Sequence, residues 1–245
     1  MSAAVRASRL ADVTWPDLEG RRPLVLLPLG SCEQHGPHLP LDTDAAVAQA
    51  VAERAAARLG GTADVLVAPP QAYGASGEHE GFPGTVSLGH AALRLLITEI
   101  GRSLLRWADR LLVVNGHGGN LVSLADAVTG LRGESRDAAW WPCLPPGSDA
   151  HAGRTETSLM LRLRPSAVRG ERAVAGPTEP VGQLMDRLRA ESVRGVSPSG
   201  VLGDPAGAAA GEGERLLDRM ADRLATDIGV WRVSGHGRLG SGGER

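Results

Sequence analysis

The sequence predicts an α/β protein with a mostly parallel sheet that helices cover on both faces. Three observations support this prediction. A chain of 245 residues with 42% hydrophobic residues and 33 glycines suits one domain with a substantial core. Short apolar runs alternate along the chain with longer segments of helical spacing. The apolar runs are uninterrupted, which is typical of parallel strands buried on both faces.

The first part of the chain alternates strand, helix and strand. Residues 24–27 are all aliphatic and predict a buried strand, followed by a loop rich in Gly, Pro and His. A helix is predicted to begin at Asp44 and to end before the glycine pair at 60–61, because glycine terminates helices. Residues 65–68 predict a second strand that ends at the proline pair at 69–70.

The alternation continues through the rest of the chain. Residues 91–107 have helical spacing with aliphatic residues on one side, 110–114 form a third apolar run, and 121–131 predict another helix. The C-terminal third is predicted to hold three more helices, at residues 157–163, 181–192 and 212–228. We expect a single domain over residues 1–233 and a flexible tail over residues 234–245.

Composition excludes several classes of function. A net charge of −2 without a basic stripe gives no reason to expect nucleic acid as a partner. The longest apolar run, residues 24–29, is too short to cross a bilayer, and the N-terminus lacks the apolar segment of a secretory signal. Cys32 and Cys143 are too few for a disulfide framework. We therefore expect a cytoplasmic protein with no membrane partner.

Acidic and imidazole side chains gather where the predicted strands end. Functional groups of an open parallel sheet collect in the loops past the carboxyl ends of its strands. The first such loop carries Glu33 and His35, which point the same way in an extended segment because they are two residues apart. Asp44 opens the next helix, and His117 follows the third strand on a glycine-rich turn. A later segment adds His151 and Glu156.

Carboxylates and imidazoles that converge at strand ends favour a mixed nitrogen and oxygen metal site. Zinc, manganese and ferrous iron all accept such ligands. A carboxylate that bridges two ions is an economical way to hold a pair, and two-metal sites commonly activate water for hydrolysis. The residue types therefore point to a metal-dependent hydrolase.

Each residue taken alone also allows a simpler interpretation. Glu33 is compatible with an ordinary surface acid, and His35 with a hydrogen-bonded loop histidine. Asp44 suits a helix N-cap. Residues 118–120 lead into a helix, which favours a phosphate cradle in a non-catalytic nucleotide-binding module. His38 is expected to be structural. The residues by themselves leave these alternatives open.

Four segments resemble the motifs of one known family. Residues 30–44, GSCEQHGPHLPLDTD, resemble the signature of the creatininase (creatinine amidohydrolase) family. Residues 115–120, NGHGGN, and 151–158, HAGRTETS, resemble its second and third motifs in the same order, and residues 73–89 resemble its substrate-side loop. The resemblance implies a three-layer α/β/α sandwich, a homo-oligomer, and a dinuclear metal centre that hydrolyses amide-type C–N bonds.

The resemblance also implies a set of ligands. Glu33, Asp44 and His117 match the ligands of one metal, and His35 and Asp44 match those of the other, with Asp44 as the bridge. We accordingly expect two divalent ions per chain, as Zn²⁺, Fe²⁺ or Mn²⁺.

The sequence departs from creatininase itself at one position. Where that enzyme has a glutamate ligand two residues after the motif histidine, this chain has Gly119. We expect Glu156 to supply the missing ligand or to act as a base. His151 matches the histidine beside the substrate, and we expect it to protonate the leaving nitrogen.

A narrower resemblance concerns the substrate. The segments GASGEHEGFPGT, DAAWWPC, DAHAGRTETS and SPSGVLGDPAGA resemble creatininase-type peptidases of the mycofactocin biosynthetic system. This implies removal of a C-terminal Val-Tyr dipeptide from a short modified precursor peptide. The alternative within the family is an amidohydrolase acting on a small cyclic amide or a formamide. The residues expected to contact substrate are Ser76, Glu78, His79, Gly118 and Arg154.

Overall fold

The structure is a computed structural model that describes residues 9–240. Its centre is a four-stranded sheet in which every pairing is parallel and the strand order is β2-β1-β3-β4. The strands are β1 (Leu24–Leu29), β2 (Val65–Val67), β3 (Arg110–Asn115) and β4 (Ala138–Pro142). Three of these strands lie where the sequence predicts them.

Helices cover both faces of the sheet. They are α1 (Thr43–Leu59), α2 (Gly89–Leu104), α3 (Leu121–Gly133), α4 (Arg154–Leu163), α5 (Val181–Val196) and α6 (Ala210–Val230). Helices α1, α4 and α6 pack together on one face, and α2 and α3 pack together on the other. The predicted three-layer α/β/α sandwich is confirmed. Helix α2 begins at Gly89 and ends at Leu104. It therefore begins two residues before and ends three residues before the predicted segment 91–107.

Alternation along β1 builds the two halves of the core. Leu24 and Leu26 pack into the cluster with α1 and α6, whereas Val25 and Leu27 pack into the cluster with α2 and α3. Successive side chains of a strand point to opposite faces, so a strand between two helical layers needs apolar residues throughout. Each fully buried leucine of this kind stabilises the fold by about 1.5–3 kcal/mol.

A proline lies inside the central strand β1. Pro28 has no N–H to donate to a neighbouring strand, which normally confines proline to sheet edges. The backbone groups of Leu24, Leu26 and Pro28 face the β2 side of the strand. Because β2 ends at Val67, no β2 residue lies opposite the Pro28 nitrogen, and the Pro28 carbonyl accepts a hydrogen bond from Gln71 N at 2.9 Å. Pro28 is tolerated because it lies beyond the end of its neighbour.

The strand β4 and the segment after α6 differ from the sequence prediction. The sequence predicts no strand at residues 138–142, yet they pair with β3. Residues 234–240, expected to be flexible, instead continue the sheet edge. Trp140 N donates to Gly237 O at 2.9 Å, Leu239 N donates to Trp140 O at 2.9 Å, and the Leu239 side chain is buried. The remaining residues of the expected tail, 241–245, lie outside the described part of the chain, as do residues 1–8.

The topology sets where functional groups lie. All four strands run in one direction, so the loops after β1, β2, β3 and β4 leave the same edge of the sheet. Within residues 9–240, no helix has the length and hydrophobicity needed to cross a membrane.

Candidate metal centre

Seven titratable side chains from separate segments meet at the carboxyl edge of the sheet. They come from the loop after β1, the first turn of α1, the turn Gly77–His79 after β2, the end of β3, and the start of α4. Six of them are buried, and the seventh is half-buried. These side chains, called the donor cluster below, are Glu33, His35, Asp44, His79, His117, His151 and Glu156.

Two glycines bring Asp44 close to the strand ends. A Cβ atom on Gly30 would lie 2.3 Å from Ala45 N, and one on Gly116 would lie 2.4 Å from Asp44 O. Only glycine allows so close an approach between backbone segments. The first turn of α1 therefore rests directly on the ends of β1 and β3, and its carboxylate lies between the two loops.

Glu33 forms the centre of one half of the donor cluster. Its Oε1 atom lies 3.2 Å from His117 Nδ1, 3.3 Å from His79 Nε2 and 3.8 Å from His151 Nδ1. The Glu33 side chain has no exposed surface. Three imidazoles therefore face one fully buried carboxylate.

Asp44 joins the two halves of the donor cluster. Its Oδ1 atom lies 3.1 Å from His35 Nε2, and its Oδ2 atom lies 3.5 Å from His117 Nδ1. On the far side of His35, Glu156 Oε2 lies 3.8 Å from the same Nε2 atom. An aspartate with each oxygen directed at a different imidazole has the arrangement needed to bridge two ions.

Backbone carbonyls fix which nitrogen of each imidazole faces the cluster. His35 Nδ1 donates to Glu33 O at 3.2 Å, and His117 Nε2 donates to Ala75 O at 3.1 Å. A carbonyl can only accept, so the other nitrogen of each neutral ring carries a lone pair. That second nitrogen is the one that faces the carboxylates. Metal-binding histidines are commonly oriented in this way.

Within residues 9–240, several oxygens of the donor cluster have no hydrogen-bonding partner. Glu33 Oε1, Glu33 Oε2 and Asp44 Oδ2 are buried, and none accepts a hydrogen bond of acceptable geometry from the described residues. A buried charge is costly unless it is paired or coordinates a metal, so these residues fit a divalent cation. Three triplets keep their donor atoms within 4.8 Å of one another: Glu33–His35–Asp44, Glu33–His79–His151 and His35–His151–Glu156.

The protonation of the cluster reflects its crowded charges. Burial lowers the pKa of His35, but the Asp44 and Glu156 carboxylates outweigh it and raise that pKa to about 10. Burial raises the pKa of Asp44 to about 6 against the opposing effect of His35. The pKa of His117 is also raised, because Glu33 outweighs burial. Carboxylates therefore hold protons on these imidazoles in the metal-free protein, and a cation would displace those protons on binding.

The position of Gly119 explains the departure from the creatininase motif. A Cβ atom there would lie 2.4 Å from His117 Nε2, 2.5 Å from Glu78 Oε1 and 2.6 Å from Ala75 O. The space is filled by Glu78, whose Oε1 lies 3.3 Å from His117 Nε2. The structure therefore places a second carboxylate against this imidazole, on the side away from Glu33.

Two of the expected substrate contacts lie against the donor cluster. His79 is buried beside Glu33, and burial together with the neighbouring His151 lowers its pKa to about 2, so the ring is neutral. Glu78 is about one-third exposed and reaches His117, as described above.

The other expected contacts differ from one another in their surroundings. Ser76 is buried, and its Oγ has no hydrogen-bonding partner among residues 9–240. Gly118 is exposed. The guanidinium of Arg154 is 54% exposed and pairs with Glu212 of α6 at 2.8 Å, so the structure gives it no contact with the donor cluster. His38, expected to be structural, is buried, and its Nε2 lies 2.9 Å from Thr157 Oγ1.

Sequence reasoning missed Gln34 and the place of His79 among the donors. An amide is neither a usual metal ligand nor a base, so the sequence carries no signal for Gln34. The structure buries it between two histidines of the cluster. The position of His79 after β2 is a signal for its role. The loop after β2 leaves the same carboxyl edge of the sheet as the loops after β1 and β3, which hold predicted ligands.

Fold and site together define a class: a three-layer α/β/α protein with a buried carboxylate and imidazole cluster suited to divalent metal. Residues 11–228 match the model of the family described as Creatininase: Creatinine amidohydrolase. The chain belongs to the creatininase family. The resemblance drawn from the motifs is thereby confirmed.

Curated relatives support this assignment over nearly the whole chain. The chain is 52% identical over 234 residues to a mycofactocin precursor peptide peptidase from Mycolicibacterium smegmatis, covering 95% of each protein. It is 30% identical over 253 residues to a creatinine amidohydrolase from Pseudomonas putida, covering 89% of this chain and 95% of the relative.

A third relative is similar over most of the chain but is named for a different reaction. It is the 2-amino-5-formylamino-6-ribosylaminopyrimidin-4(3H)-one 5'-monophosphate deformylase of Methanothermobacter thermautotrophicus, 30% identical with 83% of this chain and 87% of the relative covered. The names of all three relatives describe hydrolases that act on C–N bonds. The prediction that the chain is an enzyme of this kind is confirmed, and the non-catalytic module is not supported.

Solved structures give the same result. A structure described as Creatininase Mn superimposes with a TM-score of 0.74 at 28% identity, covering 91% of this chain and 98% of that one. A mutant creatininase of a Zn–Zn type superimposes with a TM-score of 0.75 at 28% identity, covering 91% and 97%. Creatininase structures therefore carry manganese or zinc.

Proposed function

We propose that this protein is a metal-dependent peptidase that hydrolyses the C-terminal Val-Tyr dipeptide from a modified mycofactocin precursor peptide. The observation that carries the hydrolytic part is the set of buried oxygens on Glu33 and Asp44 that lack hydrogen-bond partners among the described residues, two of which lie within 3.5 Å of His117 Nδ1. The choice of substrate is supported by the 52% identity to a mycofactocin precursor peptide peptidase. A homo-oligomeric state and a cytoplasmic location stay predictions.

The donor cluster supplies ligands for two ions per chain. Glu33, Asp44 and His117 would hold one, and His35, Asp44 and Glu156 would hold the other, as Zn²⁺, Fe²⁺ or Mn²⁺. Such a pair lowers the pKa of water toward neutrality and polarises the scissile carbonyl. Gly119 supplies no ligand, so the carboxylate of Glu156 completes the set around His35.

His151 is placed to move the proton that hydrolysis requires. Its Nε2 donates to the backbone carbonyl of Gln34 at 2.7 Å, so Nδ1 carries a lone pair toward Glu33. Burial keeps the ring neutral by lowering its pKa. As water adds to the peptide carbonyl, Nδ1 takes the proton, and His151 returns it to the leaving nitrogen when the C–N bond breaks. A neutral imidazole can thus serve as base first and as acid second.

The substrate contacts predicted from the sequence form the rest of the proposal. Ser76 presents a buried hydroxyl without a partner, and His79 presents a buried ring beside Glu33. Glu78 and the exposed Gly118 border the same imidazole, His117, and lie at the surface where a peptide would enter. Arg154 contributes to recognition of the peptide carboxylate only if it leaves Glu212.

The decisive experiment incubates metal-loaded protein with the modified precursor peptide and follows peptide mass. Loss of the last two residues is expected, together with release of free Val-Tyr. Creatinine and a formamide-bearing pyrimidine serve as comparison substrates, and turnover of either with an intact peptide would overturn the proposal in favour of an amidohydrolase. Metal-free protein is the control and is expected to leave the peptide intact.

A further inference from the structure

Two neighbouring histidines of the donor cluster share one partner. His79 and His151 have ring centroids 4.5 Å apart, and both face Glu33. Gln34 lies between them, 95% buried, with its Nε2 atom 2.8 Å from His79 Nδ1 and 3.1 Å from His151 Nε2. No role in metal binding or proton transfer explains a buried amide at this place.

Neighbouring backbone groups fix the orientation of the Gln34 amide. Gly36 N–H donates to Gln34 Oε1 at 2.8 Å, so the opposite atom of the amide is the NH₂ group. One hydrogen of that group donates to Gly200 O at 3.1 Å. The second hydrogen is left for His79 Nδ1, which must accept it through a lone pair. The His79 proton therefore resides on Nε2, the nitrogen that faces Glu33.

His151 is held by a different atom of the same residue. Its Nε2 lies 2.7 Å from the backbone carbonyl of Gln34, which only accepts, so Nε2 carries the proton. The bare Nδ1 then faces Glu33 at 3.8 Å. The two rings have the same tautomer but opposite orientations toward the cluster. His79 presents an N–H donor, and His151 presents a lone pair.

We propose that Gln34 is a positioning residue that fixes the His79 ring as a hydrogen-bond donor opposite the acceptor His151. The His79 N–H then binds the oxygen of the scissile carbonyl as negative charge develops on it, while its proton stays on the ring. The N–H is available for this role because Glu33 Oε1 accepts no hydrogen bond of acceptable geometry. This catalytic part rests on the proposed amide hydrolysis, whereas the assignment of the ring nitrogens does not.

The variant Gln34→Glu tests the assignment with little change in shape. A carboxylate cannot donate, so His79 Nδ1 is expected to gain a proton, while His151, held by the backbone of the same residue, is expected to keep a bare Nδ1. Ring ¹⁵N chemical shifts of metal-free protein, assigned with His79→Gln and His151→Gln, report both nitrogens. An unchanged His79 Nδ1 would overturn the proposal, and so would equal changes in both rings.

A second variant and a control complete the experiment. Gln34→Met removes the donor without adding charge, and the His79 ring is then expected to populate both tautomers. In metal-loaded Gln34→Met, kcat is expected to fall in proportion to the lost donor tautomer, by less than the roughly 10²–10³-fold cost of removing an oxyanion donor completely, with little change in KM. Unchanged kcat would overturn the catalytic role. Gln183→Glu, an exposed glutamine on α5, is expected to alter neither ring.

The two readouts separate this inference from the peptidase proposal. The ¹⁵N measurement uses no substrate and no metal, so it answers even if the precursor peptide is not cleaved. If the peptide stays intact with wild-type protein, the peptidase proposal fails while the assignment of the ring nitrogens is still decided.

Discussion

Two groups of charged residues in this molecule differ in how their charges are satisfied. On the surface, arginines of α1 and α4 pair with acidic residues of α6, and this group is called the arginine ladder below. Its members are Arg54, Arg58, Arg162, Glu214, Asp218 and Asp222. In the donor cluster, by contrast, Glu33 is fully buried, and neither of its oxygens accepts a hydrogen bond from the part of the chain that the structure describes.

The comparison indicates what each group is for. Ladder carboxylates receive guanidinium N–H groups directly; Arg54, for example, reaches Glu214 at 2.8 Å and Asp218 at 2.9 Å. Exposed pairs of this type are complete without a ligand and are weakened by salt. Buried oxygens without partners are costly in the fold alone. The arginine ladder therefore holds α1 against α6, whereas the donor cluster contains buried negative charge that a bound cation would neutralise.

The largest expected effect comes from removing the carboxylate proposed to bridge the two ions. Asp44→Ala is expected to abolish metal binding and turnover together, because both proposed ions share this one carboxylate. Metal affinity should fall by more than about 100-fold, since even partners outside the ligand shell commonly cost 10–100-fold. Elemental analysis after gel filtration and a peptide cleavage assay measure the two quantities.

The matched control is an aspartate of the arginine ladder. Asp218→Ala is expected to leave metal content and cleavage unchanged, because its carboxylate pairs with Arg54 and Arg58 on the surface and not with the donor cluster, as far as the structure describes the chain. Full cleavage by Asp44→Ala in metal-free buffer would show that the dinuclear scheme is wrong.

His151→Ala separates proton transfer from ligation within the donor cluster. The variant is expected to keep its metal and to lose about 10²–10⁴-fold in kcat, the usual contribution of a positioned acid or base. Stopped-flow cleavage and elemental analysis on one preparation test both points. Loss of metal would instead identify His151 as a ligand, which its place in two donor triplets allows.

A smaller effect is expected from adding a methyl group at Gly119, with the adjacent Gly118 as the control. Gly119→Ala forces a methyl group against His117 Nε2, Glu78 Oε1 and Ala75 O, so it should turn the imidazole and weaken metal binding by about 10–100-fold. Gly118→Ala meets nothing within 4 Å and is expected to keep its metal. Competition with a chromophoric chelator measures both affinities, and equal affinities would contradict the steric argument.

The smallest effect is expected in the arginine ladder at low pH. Hydrogen bonds from Arg54 and Arg162 lower the pKa of Glu214 from 4.5 to about 2. A carboxylate with a lowered folded pKa stabilises the protein above its unfolded pKa, and this contribution is lost as pH falls toward 2. Glu214→Gln should therefore lose less stability than the wild type between pH 5 and pH 2.5. Urea unfolding at low salt measures the difference, and parallel curves would contradict it.

The sequence predicts the layers of the fold better than its edges. Short uninterrupted aliphatic runs such as residues 24–27 favour buried parallel strands, since a run this short is too short for a helix and a strand between two helical layers is apolar on both faces. The edge strand β4 was not predicted, because Trp140 and Trp141 are followed by Pro142 and carry no aliphatic run. It pairs with β3 on its inner side, and its outer side hydrogen-bonds Gly237 and Leu239, which come from the far end of the chain.

The same contrast holds within the donor cluster. Glu33, His35, Asp44 and His117 could be grouped from sequence, because the carboxyl ends of parallel strands meet at one edge. The close approach of Glu78 to Gly119 could not be predicted. It depends on the separate turn Gly77–His79, which places the Glu78 carboxylate where a side chain at position 119 would lie.

The packing of the C-terminal segment has a consequence for handling the protein. On the outer side of β4, which is an edge strand, the Trp140 N–H donates to Gly237 O and the Trp140 carbonyl accepts from Leu239 N. An uncovered edge strand offers a template for association with other chains. A chain shortened after residue 233 would present this edge to its neighbours, so truncation at the apparent end of the last helix invites aggregation, and affinity tags belong beyond residue 240.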